Sequence, residues 1–270
     1  PPTSRRANAA GSGAVRQAPS VPMDASPHVW PELCTLAKFT VPICATHLLE
    51  LSLSVVSVLS LGHLGTVELA SASLAGITAN VTGFSVISGL VSALDTLLPA
   101  SYTRQPHLMG LWTQRVGLMV FAVLPLIFVL WLNAERGLIL LGQDPDIAYN
   151  ARQFLMVLSF GLPGVAIFEL CRRFLQAQGM MHAPTVVLII VSPLNAIANF
   201  FLVWGPERYR IGFLGAPMAS ALSMWLMAAL CAVQCAVACR DTWGGFSRAV
   251  WDPAALRRCG SLGWAGRIGR

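Results

Sequence analysis

The chain has 270 residues, of which 55% are hydrophobic and only 11% are charged, with a formal net charge of +6. A soluble domain carries roughly a quarter charged residues, so this composition excludes an ordinary water-soluble globule. The mean hydropathy of +0.65 instead indicates a protein embedded in a lipid bilayer.

The first segment along the chain is polar. Residues 1–30 are rich in Pro, Ser, Ala and Gly and offer too little apolar surface to fold alone. We therefore expect a disordered cytoplasmic tail over residues 1–30 and a transmembrane unit over residues 31–242. Residues 243–270 are expected to form a second cytoplasmic tail, with a sequence typical of a truncated or aberrant end.

Six long apolar stretches follow the first tail, each separated from the next by a short polar connection. About 20 apolar residues in a helix cross a bilayer, so the sequence predicts an all-α membrane protein with six transmembrane helices. The first helix would be about 35 Å long, enough for a hydrocarbon core of about 30 Å. The six predicted spans cover residues 39–61, 69–98, 116–132, 154–171, 184–204 and 212–239.

The positive charges predict the orientation of these spans, since Lys and Arg collect in cytoplasmic loops. With the N-terminus inside, the inner segments hold all the basic residues except Arg136, Arg152, Arg208 and Arg210. Both termini are therefore predicted to be cytoplasmic. In this orientation Glu169, Arg172 and Arg173 end the fourth span on the inner side, which predicts a charge cluster at the membrane interface.

Polar side chains recur at helical spacing within two of the spans. Residues three, four or seven apart lie on one face of a helix, and lipid would penalise these groups, so both faces should look inward. Two interpretations stay open: hydrogen bonds between helices, worth about 0.6 kcal/mol each, or the wall of a substrate cavity. The two faces comprise Thr78, Ser85, Ser88, Ser92 and Asp95 in the second span, and Ser192, Asn195 and Asn199 in the fifth.

Ionisable residues within the spans are the strongest candidates for function. Glu50 lies near the middle of the first span, one turn after His47, and could handle a proton or a cation. The alternative is a neutral or paired carboxyl, with His47 as the partner. Asp95 could be functional, or could bind backbone donors or Arg104. The predicted substrate and ion cavity therefore comprises His47, Glu50, Ser85, Ser88, Ser92, Asp95, Asn195 and Asn199.

Motifs for enzyme chemistry are not found in the sequence, and we do not expect an enzyme. Three cysteines recur every four residues in the sixth span, which indicates close helix packing rather than a metal site. No Cys-x-x-Cys pair, nucleotide-binding loop or basic patch with interleaved aromatics is found, so neither a cofactor nor a nucleic-acid partner is expected. The three cysteines are Cys231, Cys235 and Cys239.

Six short motifs in a fixed order resemble those of one transporter family. The motifs are Gly62–Gly65 with the following helix start, residues 89–97, Gln143–Asp146, Arg173–Gly179, Asn195–Asn199 with residues 212–217, and Trp243–Phe246. In this order they are similar to the multidrug and toxic compound extrusion (MATE) transporters, over about residues 31–250. The sequence looks most like the fungal members.

The resemblance implies one lobe of a twelve-helix fold in which two six-helix lobes face a central cavity. It implies an exporter of organic, often cationic, drugs or xenobiotics in exchange for protons, located in the plasma or vacuolar membrane. Since the chain predicts only the N-terminal lobe, we expect it to be inactive alone and to need a missing C-terminal lobe. Alternatives are a half-transporter acting as a homodimer and a membrane fragment that does not transport.

Several positions depart from the pattern of that family. Archaeal and bacterial members carry an acidic residue late in the first helix, where this chain has Val55, Val56 and Ser57. Their fifth helix carries an Asn followed by an Asp, where this chain has Asn195 and Asn199. The resemblance therefore implies no ion site of the prokaryotic kind, and eukaryotic members place their essential acid on a seventh helix.

Overall fold

A computed structural model describes residues 29–206 and 210–238 of the chain. The chain divides into two compact units, Pro1–Lys38 and Phe39–Arg270, and the features below belong to the second unit unless stated. Of the two predicted tails, residues 1–28 and 243–270 lie outside the described residues. Cys239 and the last family-like motif also lie outside them.

The described residues are helical throughout, joined by short turns. The α-helices are α1 (Val29–Gly62), α2 (Thr66–Ala79), α3 (Ser85–Val91), α4 (Leu94–Arg104), α5 (Met109–Leu132), α6 (Ala134–Leu140), α7 (Pro145–Ser159), α8 (Leu162–Ala177), α9 (His182–Trp204) and α10 (Gly215–Ala238). One π turn, Asn80–Phe84, joins α2 to α3.

The helices confirm the predicted all-α membrane fold. In the described part of the chain, five helical stretches are long and apolar enough to cross a bilayer, and α7 with α8 forms a sixth if a bent pair counts as one span. Many large apolar side chains on these helices are exposed, including Leu126, Ile189 and Leu222. Such an apolar exterior suits lipid as the surrounding solvent. The orientation of the spans stays a prediction.

The fourth span differs from the prediction of one helix over residues 154–171. It is longer and consists of α7 and α8, which are bent by 51° at residues 160–161. Gly161 precedes α8 and Pro163 lies in its first turn, a position where proline costs no hydrogen bond. The break exposes the carbonyl of Phe160, which accepts a hydrogen bond from the Trp225 indole at 2.9 Å. The indole thereby replaces a backbone donor that the bend removes.

The second span is also interrupted, by the π turn Asn80–Phe84. Trp131 of α5 fixes this turn: its indole Nε1 donates to the hydroxyl of Thr82 at 2.9 Å. A Cβ on Gly83 would lie 2.5 Å from the Trp131 ring, so only glycine permits this approach.

The π turn corrects the prediction that five polar residues of the second span share one face. A π turn inserts one extra residue, which rotates the following helix by about 100° relative to an unbroken one. Thr78 precedes the turn and Ser85 follows it, so their spacing of seven no longer aligns them. A second irregularity at residues 92–93 separates α3 from α4.

The connection between α6 and α7 explains the motif Gln143–Asp146. Gly142 adopts a φ of 82°, a left-handed conformation that ends α6 and that glycine adopts readily. The Asp144 carboxylate then accepts the backbone N–H of Asp146 at 2.9 Å. Pro145 occupies the first helical position of α7. Together these residues form a helix stop followed by a helix start.

Three hydroxyl pairs join α1 to neighbouring helices. Each pair joins a Ser or Thr of α1 to one on α9 or α10, and such contacts average about 0.6 kcal/mol in membrane proteins. The pairs are Thr46 with Thr185 at 2.8 Å, Ser52 with Ser192 at 2.9 Å, and Ser57 with Ser220 at 3.3 Å. For Ser192 the structure therefore favours the first of the two interpretations, a hydrogen bond between helices.

Small residues let α8 approach α10 closely. A Cβ on Gly164 would lie 2.9 Å from the carbonyl carbon of Met224 and 3.0 Å from the amide nitrogen of Trp225. The thiol of Cys235 lies 3.7 Å from the carbonyl oxygen of Cys171, along the same contact. In the part of the chain that the structure describes, no three His, Cys, Asp or Glu side chains are grouped as metal ligands.

We predict that Gly164→Ala destabilises the protein by about 1–3 kcal/mol, because its methyl group meets backbone atoms that cannot move aside. Gly137→Ala is the matched control, since a Cβ there meets nothing within 4 Å. That control should be neutral or slightly stabilising because alanine favours helix. Denaturant unfolding in detergent micelles, followed by circular dichroism, measures both. Equal stability of the two variants would contradict the close contact.

Candidate substrate and ion cavity

A cavity of about 570 Å³ opens between α1, α2 with its π turn, α7, α8, α9 and α10. Its volume is in the range of small-molecule sites. Most of its wall is apolar, and the polar groups are few. Two carboxylates, Glu50 from α1 and Glu169 from α8, lie on the wall together with His47.

Glu50 is held between two side chains. Its Oε1 accepts a hydrogen bond from Arg172 Nη1 at 2.6 Å, and its Oε2 lies 3.1 Å from His47 Nδ1. The Glu50 side chain is 29% exposed and the His47 side chain is 60% exposed. The interpretation of Glu50 as a carboxyl paired with His47 therefore describes this geometry, with Arg172 as a further and shorter partner.

Arg172 joins two helices through a buried guanidinium group. Its side chain is only 7% exposed, and its Nη2 donates to the Glu169 carboxylate at 2.9 Å, one turn earlier on α8. The guanidinium carbon also lies 5.8 Å from the centre of the Phe168 ring, within cation–π range. Arg172 is thus surrounded by Glu50, Glu169 and an aromatic face. It is not among the residues that line the cavity.

A second arginine extends the cluster towards α4. Arg173 Nη1 donates to both carboxylate oxygens of Asp95, at 2.9 and 3.1 Å. Arg173 Nε lies 3.9 Å from Glu169. Asp95 therefore has Arg173 as its partner in the structure. The side chain of Arg104, the partner named from the sequence, lies outside the described residues.

This charge cluster differs from the interfacial cluster expected from the sequence. Arg172 and Glu169 are buried side chains, and they meet Glu50 of the first span. Helix periodicity places Glu169, Arg172 and Arg173 next to one another. It does not show that the face they form meets another helix, so the contact with Glu50 could not be predicted; the depth of the cluster in the membrane stays a prediction.

Two asparagines of α9 support the opposite wall. Asn195 lines the cavity and donates through Nδ2 to the hydroxyl of Ser223 at 2.8 Å. Asn199 lies one turn further on, fully buried, and donates to both the backbone oxygen and the side-chain oxygen of Asn195, each at 3.1 Å. Asn199 therefore orients Asn195 and does not itself line the cavity.

The π turn contributes two side chains to the cavity, Asn80 and Phe84. Phe84 stands edge-on to Trp131, with ring centres 6.5 Å apart. Phe154 and Phe168 add two further rings to the wall. π turns occur frequently at functional sites, and here the turn supplies an amide and an aromatic ring to the pocket.

The structure brings some of the predicted residues together and not others. His47, Glu50 and Asn195 line this cavity, with Asn199 directly behind. Ser85, Ser88, Ser92 and Asp95 lie on α3, on α4 or between them, and they are not among the residues that line this cavity. Ser85 and Ser88 are exposed on the helix that follows the turn.

Sequence reasoning missed Arg172, Glu169 and Asn80 as parts of the site. Glu169 and Arg172 carry a usable signal, because an acid and a base three residues apart within an apolar span need partners. Asn80 has no such signal. Its direction depends on a π turn that hydropathy does not reveal.

The comparisons with known proteins agree with this architecture. The MatE family model matches residues 42–201. An uncharacterized transporter of Schizosaccharomyces pombe is 41% identical over 229 residues, covering 83% of this chain and 42% of the relative. The multidrug and toxin extrusion protein 2 of Mus musculus is 34% identical over 226 residues, covering 83% of this chain and 39% of the relative.

A solved structure shows the same fold. The eukaryotic MATE transporter AtDTX14 superposes with a TM-score of 0.81 and 26% identity, covering 87% of this chain and 52% of that one. The chain therefore belongs to the MATE family of multi-pass integral membrane transporters, and not to a family of enzymes. It spans about half the length of the curated relatives it matches.

We predict that Glu50 and Arg172 are energetically coupled by about 1–3 kcal/mol in a double-mutant cycle with Glu50→Gln and Arg172→Gln. Arg172→Gln alone should cost more than Glu50→Gln, because it also leaves the buried Glu169 unpaired. Denaturant unfolding in micelles measures the four free energies of unfolding.

The Glu135–Arg152 pair is the matched control for this cycle. Its atoms are 3.1 Å apart, but its side chains are 31% and 35% exposed. Exposed pairs contribute less than about 1 kcal/mol. The two carboxylates are about equally exposed, so the pairs differ in the burial of the arginine. A coupling energy as small at Glu50–Arg172 as at Glu135–Arg152 would contradict an ion pair strengthened by the burial of Arg172.

Proposed function

We propose that this chain forms one lobe of a secondary active transporter that exports organic, often cationic, drugs or xenobiotics in exchange for protons. One observation carries the proposal: a cavity of about 570 Å³ with two carboxylates on an otherwise largely apolar wall. Family membership supports transport as the activity. The mouse relative is named for the extrusion of multidrug and toxin compounds.

The cavity chemistry fits amphipathic cations. The rings of Phe84, Phe154 and Phe168 provide apolar area for a planar organic group. Glu50 and Glu169 provide negative charge to a cation that has left its hydration shell. Anionic compounds would meet like charges at this wall, and uncharged compounds would leave the carboxylates without a new partner.

Exchange with protons follows from competition for Glu50. Its side chain is partly exposed to the cavity, so it can be reached from there. A proton on Glu50 removes its negative charge and lowers the affinity for a cation, and a bound cation disfavours protonation. Binding of the two is thus mutually exclusive at one carboxyl, as an antiporter requires.

The partner of this lobe is part of the proposal. The curated relatives are about twice as long as the matched segment, which supports transport by two six-helix lobes. The second lobe would be either a C-terminal lobe or another copy of this chain. The orientation with both ends of the lobe in the cytoplasm belongs to the same proposal and has the distribution of Lys and Arg as its support.

We predict that the reconstituted 270-residue chain gives no proton-driven efflux of ethidium by itself. Joined to the part of the Schizosaccharomyces pombe relative that the alignment leaves out, it should give efflux that a proton gradient drives. Proteoliposome fluorescence measures both. Concentrative efflux by the monomeric chain would contradict the need for a second lobe, and an inactive, well-inserted fusion would contradict the function. Cross-linking in membranes separates a homodimer from a monomer.

In that active fusion, we predict that Glu50→Gln abolishes proton coupling while insertion stays intact. Glutamine keeps the shape and a hydrogen-bond acceptor for Arg172 but cannot exchange a proton at neutral pH. Glu135→Gln is the matched control, since it removes a carboxylate that is paired with Arg152 away from the cavity. Efflux of Glu50→Gln with the pH dependence of the unmodified protein would refute the role of Glu50.

A further inference from the structure

The charged side chains that meet around the cavity do not balance. Three carboxylates, of Glu50, Glu169 and Asp95, are joined to two guanidinium groups, of Arg172 and Arg173. Arg173 and Asp95 pair with each other and cancel. With both carboxyl groups ionised, the remaining three groups, two carboxylates and one arginine, carry a single negative charge.

The position of these three groups makes the imbalance relevant to a ligand. Glu50 and Glu169 lie on the wall, whereas Arg172 lies behind them, with a side chain that is 7% exposed. The charge of Arg172 is fixed, because a guanidinium group stays protonated in proteins. A ligand in the cavity can therefore contact the two carboxylates, while the positive charge of Arg172 lies behind them and acts on the ligand at a distance.

Arg172 is itself bound as a cation would be. Its guanidinium group is held by two carboxylates at 2.6 and 2.9 Å and by the Phe168 ring at 5.8 Å. These are the groups that recognise organic cations in general, an aromatic face and an opposite charge. The cluster thus has the elements of a site for two positive charges, of which one is already filled.

We propose that Arg172 determines the charge of the cation that the cavity accepts. By neutralising one of the two wall carboxylates, it restricts the cavity to organic monocations and disfavours dications. The inference rests on the proposed function for the substrate class, and adds the number of charges and the residue that sets it. Arg172 acts here through Glu50 and Glu169, so it is a specificity-determining residue without direct ligand contact.

The physical reason is the cost of an unpaired charge away from water. A monocation that enters the cavity meets one net negative charge and is compensated. A dication brings a second charge that has lost its hydration and finds no free carboxylate. Discrimination therefore follows from the local charge and does not require a difference in ligand shape.

The proposal predicts that the preference between monocations and dications follows the net charge of the cluster. Four forms of the protein test this charge rule. The unmodified cluster of Glu50, Glu169 and Arg172 carries one negative charge. Arg172→Gln leaves two, Glu169→Gln leaves none, and the double variant Arg172→Gln with Glu169→Gln returns to one. The double variant loses both buried partners together, so it also avoids leaving an unpaired buried group.

Ethidium and propidium are the probes, because they share a phenanthridinium ring and carry one and two positive charges. The purified 270-residue chain in nanodiscs of zwitterionic lipid is titrated with each at about pH 8. We expect Arg172→Gln to raise the affinity for propidium relative to ethidium about tenfold, equivalent to about 1.4 kcal/mol. Glu169→Gln should lower the affinity for ethidium about tenfold. The double variant should have a propidium-to-ethidium affinity ratio within about twofold of that of the unmodified protein.

Two controls separate charge from structure. Arg172→Lys keeps the charge and should keep the preference for ethidium. Arg152→Gln removes an arginine that pairs with Glu135 away from the cavity, and should leave both affinities unchanged. If Arg172 had a purely structural role, its replacement would lower the affinities for both probes together. The charge rule instead predicts a change in the ratio of the two affinities. If Arg172→Gln does not fold, Glu169→Gln and the double variant carry the test. The charge rule predicts that the single variant departs further from the unmodified protein than the double variant does, although the double variant has more residues changed.

The proposal is overturned if the propidium-to-ethidium ratio is the same in all four forms, or if the unmodified chain binds no ethidium saturably. Since the experiment measures binding at equilibrium, it does not depend on transport. Normal charge-dependent binding with an inactive fusion protein would refute the proposed function alone. Proton-driven efflux with binding that ignores the charge rule would refute this inference alone.

Discussion

A buried guanidinium group is the constraint on which the arrangement of this lobe depends. Arg172 is charged at any pH that the protein meets, and its side chain is almost fully removed from solvent. An uncompensated charge in such a place costs several kcal/mol, so carboxylates must reach it. Glu169 comes from the same helix, but Glu50 comes from α1, 122 residues earlier in the chain. The position of α1 relative to α8 is thus tied to an electrostatic requirement. Apolar contacts of α1 add to this, since Leu61 is buried and Leu49 and Leu53 pack against the core.

Irregular backbone occurs where this lobe encloses its cavity. The π turn Asn80–Phe84 and the bend between α7 and α8 both lie beside it, and both are fixed by a tryptophan. Trp131 binds the hydroxyl of Thr82 within the turn, and Trp225 satisfies the carbonyl of Phe160 at the bend. Non-helical backbone is tolerated at membrane depth only where its polar groups find partners inside the protein. The Trp225 indole supplies such a partner directly, and the Thr82 hydroxyl that Trp131 binds donates to the carbonyl of Thr78 at 2.6 Å. The cavity can therefore have a shape that straight helices could not give.

Hydropathy alone was enough to predict an all-helical membrane protein and the order of its apolar helices, because lipid imposes a length and a composition on each span. Within the spans the same reasoning was weaker. The polar residues at 78, 85, 88, 92 and 95 are evenly spaced, yet one inserted residue in a π turn changes which of them share a face. Glu50 could be identified as a functional candidate from the sequence, because an ionisable side chain within a membrane span is energetically unfavourable. Its partner Arg172 was not, because periodicity assigns a residue to a face and does not say which other helix that face meets.

The cavity carboxylates of this lobe lie at other positions than the prokaryotic pattern implies. The fifth-helix position expected to hold a carboxylate is Asn199, which is buried and serves to orient Asn195. The carboxylates of the cavity come instead from α1 and α8, as Glu50 and Glu169. Each is bound to Arg172, so the negative charge arises together with its own counter-ion. A neutral α9 and a charged α1–α8 pair are therefore consistent with each other: within the described residues, the hydrogen-bond partner of the Asn199 side chain is Asn195, an uncharged group.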